Sequence, residues 1–273
     1  MPGYHLAIRG EGTGTPLVFI HALGASSRYW SGRLGMLAAT HRCVLPDLLG
    51  FGQSPKPSDC AYRVNDHLNA LITTLTDQGL ASAPIVLVGH SLGAILAVEY
   101  ASRFPEHVRS VILLGLPRYI SSSEARTYIR AHGDWLARLV VANGRLARFA
   151  CAAVHAAPTL SARAAVAVAR TFPPEVAADT VAHTWESYSR TLQNCILDHD
   201  VAPAFASLSS VPILALHGRD DPAAPLEAVE ALIASMSNAR LRVLPGKHHL
   251  FLERNEACVD AIRWFLSQHA AAG

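Results

Sequence analysis

The sequence predicts an α/β fold: a mostly parallel sheet covered by helices on both faces and interrupted by one helical insertion. Three observations carry this reading. Short apolar runs bounded by turn residues alternate with amphipathic stretches along most of the 273 residues. The runs are almost continuously hydrophobic, as strands are when both faces of their sheet are buried. Between about residues 117 and 210 the strand signal stops and the chain reads as helix throughout.

In chain order, Tyr4 to Arg9 reads as an edge strand followed by the turn-rich stretch Gly10 to Pro16. Those glycines lead into another strand instead of a helix, and their spacing is not G-x-G-x-x-G, so no nucleotide loop is expected. Core strands follow at Leu17 to Ile20, Cys43 to Leu45, Ile85 to Val88, Val111 to Leu114, Ile213 to Leu216 and Leu241 to Leu244. Amphipathic helices are expected at Val64 to Leu75, Leu92 to Arg103, Leu226 to Met236 and Glu256 to His269. The helical region breaks at Gly133, Gly144, Pro158, Pro173-Pro174 and Pro203. It is read as a cap of residues 117–210 inserted into a core domain formed by 1–116 and 211–273. Ligands of open α/β sheets bind beyond the carboxyl ends of the strands, so an insertion between two core strands is expected to sit over the site.

Composition narrows the function classes. With 51% hydrophobic and 16% charged residues the chain can bury a large core and does not have the make-up of a disordered protein. The net charge is +2. Its Lys and Arg are scattered along the sequence, which gives no footprint for nucleic acid or for an anionic membrane, and neither partner is expected. Five cysteines without a C-x-x-C pair suit a reducing compartment, and a cytoplasmic location is expected. Residues Met1 to Leu6 do not read as a secretory leader. No apolar run reaches the length of a membrane span; Val140 to Ala169 comes nearest, interrupted by Arg145, Arg148, His155 and Arg163. Fourteen histidines include no H-E-x-x-H pattern, so neither metal nor cofactor is expected, and a small-molecule substrate is the partner implied.

The chemistry starts at Gly89-His90-Ser91-Leu92-Gly93. A strand ends at Gly89 and a helix of small and apolar residues opens at Leu92. Ser91 therefore falls on a tight strand-to-helix turn, where strain lifts its hydroxyl into a cleft and the helix N-terminus favours a developing oxyanion. The alternative is a helix N-cap serine flanked by two chance glycines. A serine hydroxyl needs a base, and the base an orienting acid. Two later strand-end loops offer them: His217-Gly218-Arg219-Asp220-Asp221-Pro222, then Pro245-Gly246-Lys247-His248-His249.

Together with His21-Ala22-Leu23-Gly24, the segment Asp47 to Ser54, Pro225 and Glu253, these motifs resemble the α/β-hydrolase fold, in its branch of small capped serine esterases. The resemblance implies a mostly parallel eight-stranded sheet and a Ser-Asp-His triad. Its G-x-x-D-x-x-x-P pattern selects Asp221 over Asp220. A His five residues before a Glu selects His248 over His249. The oxyanion hole is then expected from the backbone amides of Leu92 and Leu23. Two departures stand out: Ala22 where the family usually has glycine, and Lys247 beside the histidine. Asp47 and Ser54 are expected to fix a loop. Trp30, Trp135, Phe149, Phe172, Trp185 and Tyr188 are candidate pocket aromatics.

The expected function is acyl transfer to water from a small, largely apolar ester. A lactone, a thioester, a carbon–carbon bond or a perhydrolase reaction could occupy the same scaffold. A non-hydrolytic biosynthetic enzyme and a hydrolase-fold receptor are the alternatives from other classes.

Overall fold

The computed structural model describes residues 3–80 and 83–269. Met1 and Pro2, the start of the segment read for a leader, lie outside them. Seven strands form one sheet: β1 (Ile8–Glu11), β2 (Thr15–Ile20), β3 (His41–Pro46), β4 (Ile85–His90), β5 (Val108–Leu114), β6 (Ile213–Gly218) and β7 (Ala239–Leu244). Their spatial order is β1-β3-β2-β4-β5-β6-β7, all parallel except for β1.

Every core run expected from sequence is a strand. The eight strands implied by the resemblance are seven among the described residues. The N-terminal edge strand also lies later than Tyr4 to Arg9, because the backbone before it is taken up by other partners: Leu6 N–H donates to Thr74 Oγ1 (2.9 Å) and Ala7 N–H to Ser54 Oγ (2.9 Å). β1 pairs antiparallel with β3, Ile8 opposite Pro46, instead of forming a hairpin with β2.

Helices α1 (Met36–Thr40), α2 (Val64–Asp77) and α3 (Leu92–Arg103) fall between the early strands. Between β5 and β6 come α4 (Ser122–His132), α5 (Trp135–Ala142), α6 (Gly144–Ala156), α7 (Pro158–Val168), α8 (Pro174–Asp179), α9 (Trp185–Thr191), a π-helical turn at Leu192–Leu197, and α10 (Ala202–Ala206). The chain ends with α11 (Leu226–Ala234), α12 (Leu250–Glu253) and α13 (Asn255–Gln268). The breaks at Gly133, Gly144, Pro158 and Pro174 fall at helix ends, whereas Pro203 sits in the first turn of α10, where its missing N–H removes no bond.

The sheet carries an apolar cluster on each face. Val18, Ile20, Leu87, Val111, Leu113 and Ile213 point to one side with α2, α3 and α11; Leu17, Phe19, Val88, Ile112, Leu114 and Leu216 point to the other with α1 and α13. This period-2 division inside uninterrupted apolar runs is the mark of strands buried on both faces. The first cluster continues without a break into the inserted helices through Ala125, Ile129, Leu136, Ala137, Cys151 and Tyr188. The insertion leaves β5 at its carboxyl end. It must return to the amino end of β6, which is parallel to it. Its last part accordingly packs on α3, with His199 Nε2 at 2.9 Å from Glu99 Oε1.

Candidate active site

The elbow has the conformation expected from its glycines. Ser91 sits between β4 and α3 at φ 54° and ψ −115°, one of two non-glycine residues with positive φ among the described residues. Such a backbone costs on the order of 1–3 kcal/mol and survives only where surrounding structure dictates it. Here a Cβ on Gly93 would lie 2.1 Å from the Ile20 carbonyl oxygen, and one on Gly89 2.2 Å from that of Gly93. Strand, helix and neighbouring strand thus approach more closely than any side chain permits. The Ser91 amide donates to Leu114 O (2.9 Å), tying the turn to the end of β5. Ser91 stands at the N-cap position of α3, but its hydroxyl makes no capping hydrogen bond, so capping does not account for the serine. Among the described residues it makes no hydrogen bond at all.

Asp221 lies in the turn after β6, its side chain 1% exposed. Its Oδ1 accepts from the amides of Ala223 (2.8 Å) and Ala224 (3.0 Å). His248 Nδ1 donates to the same carboxylate, 3.0 Å from Oδ1 and 2.9 Å from Oδ2. Burial alone would push the Asp221 carboxyl up; the His248 ring, the Ala223 amide and His217 outweigh it and hold the group below the usual carboxylate range. Asp220 is exposed and makes no bond to either histidine through its side chain. His249 turns instead against Phe172 (ring centroids 4.6 Å) and Tyr29 (6.1 Å), and burial there pulls its ring down to about 3.

Two residues at this pair were not singled out from sequence. Gly115 follows β5 at φ +55°, and a Cβ there would stand 3.1 Å from Asp221 Oδ2 and 3.2 Å from His248 Nδ1. Its place directly after a core strand, beside the elbow strand, was the available signal. His90, the variable residue before Ser91, is fully buried and stacked on Tyr29 (4.8 Å, 9°). Its Nε2–H donates to the His248 carbonyl (2.8 Å). Burial first, then the neighbouring histidines, keep the ring well below its ordinary range and hence neutral.

The loop after β2 is held from several sides. His21 Nε2 accepts from the Leu48 amide (2.8 Å), so the proton is on Nδ1, which donates to Ala22 O (2.8 Å). Asp47 Oδ1 accepts from Ser27 N–H (2.6 Å) and Oδ2 from Gln53 N–H (2.7 Å), while Ser54 Oγ donates to Asp47 O (2.5 Å). Both side chains therefore act on loop geometry, as expected. Ala22 takes an ordinary negative φ, so its methyl group brings no strain; Gly24, at φ +69°, makes the turn. The amides of Leu92 and Leu23 take no partner among the described residues. For Leu92 this follows from its place in the first turn of a helix. The Lys247 amide donates to Glu253 Oε2 (2.8 Å), which explains why a glutamate follows the histidine at that spacing.

The candidate aromatics separate. Trp30 is wholly buried in the packed core against Phe19 (5.3 Å), Tyr29 (4.8 Å) and Phe251 (4.7 Å), so it cannot line a pocket. Trp135 and Phe149 are 63% and 73% exposed and face solvent. Helical spacing had marked them without telling which face turns inward. Phe172 and Trp185 are half-buried. Phe172 rests on His249, as above, whereas Trp185 lies beside Gly144. Tyr188 is buried, 3.3 Å from where a Cβ on Gly24 would stand, and its ring is 4.7 Å from His183. A cleft of about 460 Å³ along α4, from Ser121 to His132, contains none of these residues.

The family model described as an alpha/beta hydrolase fold matches residues 15–255. The chain belongs to the α/β-hydrolase fold family. Among its curated relatives are the cis-3-alkyl-4-alkyloxetan-2-one decarboxylase of Shewanella oneidensis, 34% identical over 118 residues, and the haloalkane dehalogenase of Bradyrhizobium diazoefficiens, 38% identical over 114 residues. Each match covers 41% of this α/β hydrolase and 36% of the relative, so the chain matches about a third of the length of these proteins. Similar solved structures include an esterase from Thermogutta terrifontis (TM-score 0.75, 23% identity, 97% of this chain and 94% of that one). An esterase from Rhodococcus sp. ECU1013 has a TM-score of 0.76 at 20% identity, covering 98% of both chains. At these identities the likeness is one of fold.

Proposed function

We propose that this α/β hydrolase is a serine hydrolase that cleaves a small, largely apolar acyl compound, foremost a carboxylic ester, through Ser91, His248 and Asp221. The observation that carries the reading is a strained serine whose hydroxyl is not spent on capping, directly after a strand that lies between those that lead to the oxyanion loop and to the His248–Asp221 pair. Ser91 Oγ attacks the acyl carbon as His248 Nε2 takes its proton. The amides of Leu92 and Leu23 hold the oxyanion. His248 then returns the proton to the departing alcohol, leaving an acyl-serine. Water, deprotonated by His248, releases the acid and restores the hydroxyl. Asp221 stabilises the imidazolium formed in each half-reaction. In such sites the hydroxyl–imidazole bond commonly tightens only when substrate binds.

Serine chemistry also separates this chain from its dehalogenase relative. A carboxylate nucleophile that displaces halide leaves an ester, which water can open; a serine would leave an inert ether. The inserted helices act as a lid in this reading, supported by Tyr188 against Gly24 and by the exit of the insertion from the strand whose last carbonyl holds the Ser91 amide.

The test is intact-mass detection of a fluorophosphonate adduct on Ser91, with turnover of nitrophenyl esters of increasing acyl length. Ser91→Ala should remain folded, lose the adduct and lose on the order of 10⁶-fold in kcat. Retention of more than a small part of the activity by that variant would overturn the assignment. Labelling without turnover of any ester would favour a receptor or a non-hydrolytic enzyme.

A further inference from the structure

From Trp135 to Phe172 the chain carries five arginines (Arg138, Arg145, Arg148, Arg163, Arg170) and no lysine, aspartate or glutamate. The whole protein has 23 cationic and 21 acidic side chains, so the remainder holds 18 and 21, a net −3 against +5 here. Spread along the sequence these arginines form no charge run. Four of them lie on α5, α6 and α7, which pack in succession, α5 on α6 and α6 on α7, and Arg170 stands two residues after α7. All five are exposed, and none forms an ion pair among the described residues.

The same helices hold five of the eight exposed large hydrophobic side chains among the described residues: Trp135, Leu146, Phe149, Leu160 and Val168. α6 buries Ala147 and Cys151 and turns Leu146 and Phe149 outward. α7 has no buried residue, and Leu160, Arg163, Ala164, Ala167 and Val168, at the i, i+3, i+4, i+7, i+8 spacing of one helix face, are all exposed. A solvent-exposed apolar helix face of this extent normally has something to cover it.

We infer that α5, α6 and α7 form a docking surface for an anionic phospholipid bilayer, on which the protein lies peripherally. Charge complementarity and the interleaving of the two residue classes point to that occupant. Arginines stand one helical turn from the exposed apolar side chains: Arg138 from Trp135, Arg145 from Phe149 and Arg163 from Leu160. A protein interface concentrates its apolar residues in a central patch and leaves the charge at the rim. Alternation of the two is the pattern of interfacial helices, in which aromatic and aliphatic groups enter the acyl boundary and guanidinium groups bind phosphate above it. Among the described residues no single helix is long and apolar enough to cross a membrane; α6 and α7 reach that length and composition only as a pair, and the chain bends by 110° between them. Such a pair can lie along a surface. The inference does not depend on the proposed triad.

The experiment is co-flotation of the full chain with vesicles of phosphatidylcholine, with and without phosphatidylglycerol. Binding is expected only with the anionic lipid, and is expected to fall away between about 0.1 M and about 1 M salt as the Debye length shrinks from about 10 Å to about 3 Å. Arg145→Gln/Arg148→Gln should weaken partitioning by about 30-fold, and Phe149→Ser on the order of tenfold. Both variants change exposed side chains, and their nitrophenyl ester turnover should match the parent. Absence of binding to anionic vesicles at low salt, or equal binding to both compositions, overturns the inference. So does a concentration-dependent dimer that these substitutions dissolve, since the face would then belong to a second copy of the chain.

Discussion

The strand ends and the helices α5 to α7 use similar amino acids to opposite effect. At the strand ends backbone and side chains fit closely: Gly93 fits under Ile20, Gly115 leaves room for Asp221 and His248, and the Asp47 carboxylate receives two amides. In α6 and α7, Leu, Phe and Val side chains face solvent beside arginines without carboxylate partners. The difference teaches that apolar content alone does not make a core. Complementary structure close enough to bury the side chain does, and no residue of α7 is buried in that way.

Substitutions in the two regions should therefore diverge. Phe265, 1% exposed in α13 beneath the sheet, should cost about 3–5 kcal/mol when changed to Ala, read as a shift in the urea midpoint. A loss near zero would show that the packing on that face is looser than the structure has it. A smaller effect per residue follows from buried histidines in both regions. His67 and His249 in the core are held down to about 3, and His183 in the insertion to about 4, each chiefly by burial. A folded pKa below the unfolded value of about 6.5 means that unfolding takes up protons. Stability should therefore be full above about pH 6.5 and fall as the pH drops from there towards about 4, by about 1.4 kcal/mol per unit for each histidine. Urea unfolding between pH 7 and 5 measures this, and a flat profile would contradict neutral burial. The smallest effect is expected for Phe149→Ala, within about 0.5 kcal/mol, because its side chain is already in water. A loss as large as that at Phe265 would erase the distinction between the two regions.

Much of the frame was legible because strand signals are local. Ile85 to Val88, Gly89, Ser91 and Gly93 lie within nine residues, and their meaning depends on a backbone turn that those residues alone can make. Asp221 and His248 required more, since each sits beside a plausible rival in its loop. Spacing brought the rivals within reach and resemblance chose between them; the hydrogen bonds to one carboxylate now set His248 apart from His249. His90 and Gly115 were missed because their importance is a matter of what lies across the sheet.

The sequence by itself determined the parallel sheet, the helical insertion and the serine turn, all of which follow from periodicity and from glycine at fixed offsets. Only the tertiary structure decided which aromatics face inward, that Trp30 is core while Trp135 and Phe149 are surface, and that the arginines of α5, α6 and α7 are exposed without carboxylate partners among the described residues. The physical reason is that helical periodicity gives faces without saying what each will meet, and burial is settled by the partner across the gap.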